Sequence, residues 1–289
     1  MSELALGSAQ FGMDYGVSNS TGKPSQNVLS DVLQVAQSAN IQIIDTASLY
    51  GDAEFCLGNE LAGDDYFRFI TKLPDLTAVD RESQVVELFL ESLHKLRKES
   101  LYAILLHRAE NLLQNNSDII YKALLKLKEQ GLVDKIGFSS YFPGQVHAIT
   151  TRYDVDIVQI PMNILDQRFV ETQCIEYLKQ KNIEIFARSA FLQGLLLMDE
   201  SHIPAGLHSK MHLLTKYFEL TDSHDSSKLE LALDFLKNQK DIDYVVVGVQ
   251  SKNQLQELVS LWDNPMLGIN YSELSIQDEE LLLPQNWAV

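Results

Sequence analysis

The sequence predicts a (β/α)8 barrel, and three observations carry that prediction. Eight short apolar runs recur along the 289 residues with helical patterns between them. Three of the runs end in a single polar side chain: Ile41 to Ile44 leads into Asp45, Phe67 to Thr71 into Lys72, and Leu101 to Leu106 into His107. Parallel barrel strands look like this when they aim side chains at one mouth. No Gly-x-Gly-x-x-Gly follows the first strand, which leaves an open doubly wound sheet as the runner-up.

The elements follow in order. The first strand is Leu4 to Ala9, followed by a Gly/Asn/Ser-rich loop from Phe11 to Gly22. Pro24-Ser25 opens a helix with apolar residues at Val28, Leu29, Val32, Leu33 and Ala36, a three-and-four spacing. The second strand ends at Asp45, and its helix spans about 52 to 62. The third ends at Lys72. Pro74 blocks helix there, and an amphipathic helix runs from about 80 to 98. After the fourth strand Ser117 is placed to cap a helix that Gly131 stops. The fifth strand is Lys135 to Phe138, running into Ser139-Ser140, and the sixth is Val155 to Ile160. One helix carrying Phe169, Val170, Ile175 and Leu178 comes next. The seventh strand, Ile183 to Ala187, runs into Arg188-Ser189. The eighth is Tyr244 to Val249, with a final helix through Leu255, Leu258, Val259 and Trp262. Residues 190 to 226 form a long irregular loop between strands seven and eight, fit to cover a site or meet a partner. With no linker or low-complexity segment, residues 1–289 are expected to be a single domain.

Composition narrows the function. A net charge of −17 argues against general nucleic-acid binding. No apolar run approaches the roughly 20 residues of a membrane span, and the first residues lack the basic and apolar regions of a secretory leader. Cys56 and Cys174 read as free thiols, which fits a reducing cytoplasm, and a cytoplasmic location is expected. His202, His208 and His212 lack a carboxylate at metalloprotease spacing, so no metal is expected. Composition leaves the oligomeric state open.

Asp45, Tyr50, Lys72 and His107 make an acid–base set. A free phenol, with a pKa of about 10, is a poor acid near neutrality. An ammonium from Lys72 is expected to lower the pKa of Tyr50, with Asp45 holding the lysine and His107 orienting the reacting oxygen. None of the four is a redox group, so hydride transfer needs a cofactor.

Asp45-Thr46-Ala47 through Tyr50-Gly51, Lys72, and Leu105 to Arg108 together resemble the catalytic tetrad of the aldo-keto reductases, in order and on matching strands. Leu6 to Gly12, Tyr50 to Glu54 with Leu57-Gly58, and Gln193 to Leu196 extend the resemblance over nearly the whole chain. It implies NAD(P)H-dependent reduction of a small carbonyl compound, or the reverse oxidation, with Tyr50 as the acid. It also implies Ser139 and Gln159 at the nicotinamide carboxamide. Arg188 falls where the family stacks a tyrosine on the nicotinamide, Ser189, Leu192, Gln193 and Gly194 at the pyrophosphate, and Ser251, Gln254 and Glu257 at the adenosine. Arg188 could instead pair with Asp45 or Glu54. Ser140, Gln250, Gln254 and Leu258 depart from the family pattern. Two of them replace cations that hold a 2′-phosphate, leaving NADP expected on Lys252, with NAD the alternative. The segments Val158 to Phe169 and Arg188 to Met198 resemble a branch associated with bacterial sugar and surface-polysaccharide metabolism, which implies a sugar-like substrate. Two other readings stand beside this one: a lyase using Lys72 as a Schiff-base nucleophile, and a cofactor-binding regulatory barrel without turnover.

Overall fold

Eight parallel strands pair in chain order and close on themselves in the computed structural model, which describes residues 2–287. They are β1 Glu3–Gly7, β2 Ile43–Asp45, β3 Arg68–Leu73, β4 Leu101–Leu106, β5 Val133–Ser139, β6 Ile157–Pro161, β7 Glu184–Arg188 and β8 Tyr244–Gly248. β8 returns to β1 with Leu4 opposite Val245 and Gly7 opposite Gly248, which completes the barrel.

The strands read as continuous apolar runs because both of their faces are buried. Successive side chains alternate sides. Ile43, Ile70, Ala103, Leu105, Ile157 and Phe186 pack together inside the barrel. Their neighbours Ile44, Phe69, Ile104, Val158 and Ile185 join the larger core beneath the helices. Near the strand starts, Tyr102 donates to Glu184 at 2.8 Å and Lys135 to Glu184 at 2.9 Å, while the Arg68 guanidinium lies 4.5 Å from the Tyr102 ring centre. This polar plug fills the N-terminal end and leaves the opposite end for the site.

The helices are α1 Ala9–Gly12, α2 Gln26–Ser38, α3 Ala53–Glu60, α4 Glu82–Leu96, α5 Ser117–Glu129, α6 Pro143–Arg152, α7 Arg168–Glu171, α8 Cys174–Gln180, α9 Thr215–Ser223, α10 Lys228–Lys237, α11 Lys252–Trp262 and α12 Glu279–Leu282. α1, α6, α9, α10 and α12 are not identified from the sequence pattern, and Ala9, read as the end of the first strand, opens α1. The helix expected after β6 is two helices, because Gln173 adopts a left-handed conformation (φ 56°) between α7 and α8. Asn116, not Ser117, holds the cap position of α5, and the Ser117 hydroxyl accepts from Tyr153 at 2.9 Å instead.

The segment from 190 to 226 is more ordered than a loop. It holds short 3-10 stretches and α9, buries Ile203, Leu207, Tyr217 and Phe218, and is tied back by a hydrogen bond from the Tyr217 hydroxyl to the Leu196 carbonyl at 2.7 Å. Burial of those four apolar side chains is the reason it does not stay open. No helix among the described residues is long and apolar enough to cross a membrane.

Candidate active site

The C-terminal ends of the strands surround a cleft of about 940 Å3. It runs from Asp45, Tyr50 and His107 on its floor, past Arg188, to Gln254 and Glu257 on α11. Asp45 ends β2, Lys72 lies in β3, His107 follows β4, Ser139 ends β5, Gln159 sits in β6 and Arg188 ends β7. Tyr50 arrives differently. It comes from the turn after β2, which lies against α1 so closely that a Cβ on Gly12 would fall 1.8 Å from the Tyr50 carbonyl oxygen. Gly51, at φ 56°, supplies the left-handed conformation the same turn requires.

A hydrogen-bonded chain joins these groups. Gln159 Nε2 donates to Asp45 Oδ1 at 2.8 Å. Lys72 Nζ donates to Asp45 Oδ2 at 2.6 Å, to the Thr46 carbonyl at 2.9 Å and to Tyr50 Oη at 3.3 Å. These three bonds use all the donors of an ammonium. Lys72 is 1% exposed, and an ammonium whose three N–H groups are all committed has no lone pair for a carbonyl carbon, which counts against the Schiff-base reading. The His107 ring meets the Tyr50 ring edge-on, with centres 5.8 Å apart.

The electrostatics differ from the expectation for Tyr50. Its pKa is raised, chiefly by burial and next by the Asp45 carboxylate; among the nearby cations Arg188 is the one that opposes this. The low-dielectric floor disfavours phenolate more than Arg188 favours it, so Tyr50 keeps its proton. Burial lowers the pKa of Lys72, with Asp45 opposing and Arg188 reinforcing. Burial, Lys72 and Arg188 together push His107 down to about 3, which makes it a neutral imidazole at physiological pH.

Arg188 pairs with neither Asp45 nor Glu54. Asp45 is already bonded to Lys72 and Gln159, and Glu54 accepts from Thr71 at 2.6 Å. The guanidinium instead donates from Nε to Ser139 Oγ at 3.1 Å and from Nη1 to Ser189 Oγ at 3.2 Å, and lies 4.0 Å from the Tyr141 ring centre. Gln193, Gly194, Gln254 and Glu257 line the cleft, as Ser189 does. Leu192 does not reach it. Its side chain is fully buried in the core, and its own N–H is bonded to the Ser189 carbonyl at 3.0 Å, so it offers an anion neither group. Ser251 caps α11 by accepting from the Gln254 N–H, and Gln254 in turn accepts from the Gln250 N–H at 2.7 Å.

Tyr15 and Tyr141 also line the cleft and are not singled out by the sequence. Tyr141 directly follows the Ser139-Ser140 pair, which was the available signal. Tyr15 lies in the loop after α1, where no periodicity marks it; burial and the nearby Tyr50 raise its pKa to about 12. That loop crosses the segment after β7. The Val17 N–H donates to the Gln193 carbonyl at 3.1 Å, and a Cβ on Gly194 would fall 1.9 Å from Ser18 Oγ. His208 and His212 are engaged locally, bonded to the carbonyls of Ile203 and Ser209 at 2.9 Å each.

Comparison with known proteins adds to this geometry. The model of the Aldo/keto reductase family matches residues 3–272. An uncharacterised oxidoreductase of Bacillus subtilis, YqkF, is 22% identical over 187 residues, covering 61% of this chain and 59% of that protein. Among solved structures, the aldo-keto reductase AKR11C1 of Bacillus halodurans in its holo form superposes with a TM-score of 0.75 at 20% identity, over 94% of this chain and 90% of that one. The glycerol dehydrogenase AKR11B4 of Gluconobacter oxydans does so with 0.70 at 18%, over 97% and 92%. At such identities the two structures speak for the shared barrel.

Proposed function

The chain belongs to the aldo/keto reductase family, and from that premise we propose that it is an NAD(P)H-dependent oxidoreductase acting on a small, sugar-like aldehyde or ketone. The whole chain serves as one barrel domain, and the reaction is reduction to the alcohol or its reverse. The observation that carries the reading is the hydrogen-bonded chain from Gln159 through Asp45 and Lys72 to a protonated Tyr50.

The residues fit a nicotinamide cofactor. With Nε2 committed to the Asp45 carboxylate, the buried Gln159 Oε1 has no partner, and it is an acceptor suited to a carboxamide N–H. Ser139 and Gln159 would hold that carboxamide. Arg188 would flank the ring, Gln193 and Gly194 the pyrophosphate, and Gln254 and Glu257 the adenosine. When bound, NAD(P)H supplies the hydride.

Tyr50 gives its proton to the carbonyl oxygen as the alkoxide forms. Charge left on Tyr50 Oη then faces Lys72 Nζ at 3.3 Å, and Asp45 keeps that ammonium in place at 2.6 Å. The burial that disfavours free phenolate makes the phenol hold its proton until an acceptor arrives. Neutral His107 orients the substrate oxygen by a hydrogen bond rather than by charge.

The choice between NADP and NAD turns on Lys252. It pairs with Asp31 at 2.8 Å, but both side chains are about half exposed, and such a pair is weak enough to yield to a 2′-phosphate. NADP is therefore the expected cofactor. The test is fluorescence titration with NADPH and NADH on wild type and Tyr50→Phe, followed by turnover on aldehydes and sugars. Binding to both proteins with turnover lost by roughly 10²–10⁴-fold in the variant is the expected result. Binding without turnover in wild type would instead support a regulatory barrel.

A further inference from the structure

Among the described residues, one positive charge in the cleft has no counterion. Lys72 and Asp45 offset each other at 2.6 Å, His107 is neutral, and Tyr50 keeps its proton. Arg188 remains. Among the described residues no carboxylate forms an ion pair with it, and its contacts are two hydroxyls and an aromatic face. A guanidinium stays charged at any physiological pH. Its field reaches Tyr50, Lys72 and His107 alike, so it acts on the reacting centre and not on the rim alone.

Resting on the oxidoreductase reading above, we propose that Arg188 sets the redox preference of the cleft, making it bind the reduced nicotinamide cofactor more tightly than the oxidised one. The dihydronicotinamide ring is neutral, and loss of a hydride leaves that ring with a full positive charge. Ser139, one of the two residues assigned to the ring's carboxamide, receives the Arg188 Nε–H at 3.1 Å. Ring and guanidinium are therefore neighbours, and the oxidised ring places a second cation beside one that nothing neutralises. The pyrophosphate and adenosine carry the same charge in both forms, so their contacts cancel from the ratio of the two affinities. By linkage the oxidised cofactor, the product of carbonyl reduction, is the form that leaves more readily, while the overall equilibrium of the reaction is unchanged. A tyrosine at the same place would impose no such penalty.

The experiment measures dissociation constants for NADPH and NADP+, and for NADH and NAD+, at one ionic strength on wild type, Arg188→Met, Arg188→Gln and Arg188→Lys. Wild type is expected to favour the reduced form. The two neutral variants should narrow that ratio by roughly a hundredfold, the effect of one unit charge about 6 Å away at an effective dielectric of about 20. Arg188→Lys should keep most of it. Two neutral variants guard against a local disturbance of Ser139, since both must show the change. An unchanged ratio in both would overturn the inference and leave the oxidoreductase reading standing. Failure of wild type to bind any of the four cofactors would overturn that reading itself.

Discussion

Replacing Lys72 with methionine separates the structural from the chemical role of the buried pair. The side chains of Lys72 and Asp45 are 1% and 4% exposed. Lys72→Met keeps the bulk of the stem but leaves the Asp45 carboxylate with Gln159 as its one side-chain donor, and it removes the donor from the Thr46 carbonyl. Breaking a buried ion pair from one side costs about 3–5 kcal/mol, because the remaining charge stays desolvated. Against a typical total of about 5–15 kcal/mol, that is a severe loss. The converse substitution, Asp45→Asn, should cost less. Burial already lowers the pKa of Lys72, so the amine left behind can shed its proton instead of remaining as a stranded ion. The double variant Asp45→Asn with Lys72→Met should then be more stable than Lys72→Met alone by roughly 2 kcal/mol, since no isolated charge remains. Urea denaturation followed by far-ultraviolet circular dichroism measures all three. Equal costs for the two single variants, or a double variant as unstable as the sum of both, would refute this account of how the pair is held.

Three further outcomes follow from the same geometry. Because His107 is held down to about 3, it carries no titration between about pH 5 and 8, and its protonation would begin only as pH falls toward that value. His107→Gln should lower kcat roughly tenfold or more without moving the shape of the pH–rate profile there; an acid limb that vanishes in the variant would contradict the neutral imidazole. Gly194 has φ 93°, and a Cβ on it would meet Ser18 Oγ at 1.9 Å. Gly194→Ala should therefore cost about 1–3 kcal/mol and weaken cofactor binding, and the contrary sign would be a melting temperature and cofactor Kd both at wild-type values. Lys252→Ala should raise the Kd for NADPH several-fold while leaving that for NADH unchanged, the loss of one exposed cation. Equal effects on the two would move the cofactor to NAD.

Three of the residues at or just beneath the cleft floor were legible from local pattern. A short buried strand ending in a lone polar residue places that residue at the strand's end, and strands that pair in chain order bring those ends together without long-range information. Asp45, Lys72 and His107 were readable for that reason. So was the placing of α2 and α4, whose apolar stripes repeat at the helical spacing. The segment from 190 to 226 was not, because its buried residues Ile203, Leu207, Tyr217 and Phe218 follow no single period. The break at Gln173 was hidden as well, since a left-handed glutamine gives no compositional sign. Leu192 looked like its neighbours Gln193 and Gly194 along the chain, and only its packing shows that it faces the core.

What the sequence by itself determined is the barrel, the order of its strands, the family, and which side chains stand at the strand ends. Tertiary structure decided who bonds to whom and in what state of charge. Gln159 reaches Asp45 across 114 residues of chain. Arg188 turns to Ser139 and Tyr141 because the carboxylates it might have met are already bonded elsewhere. Tyr50 holds its proton because burial, reinforced by Asp45, outweighs the Arg188 charge. Each of these depends on how many partners a group has already taken and how much water is left near it. Hydrogen-bond valence and dielectric are properties of the assembled site, and no window of sequence contains them.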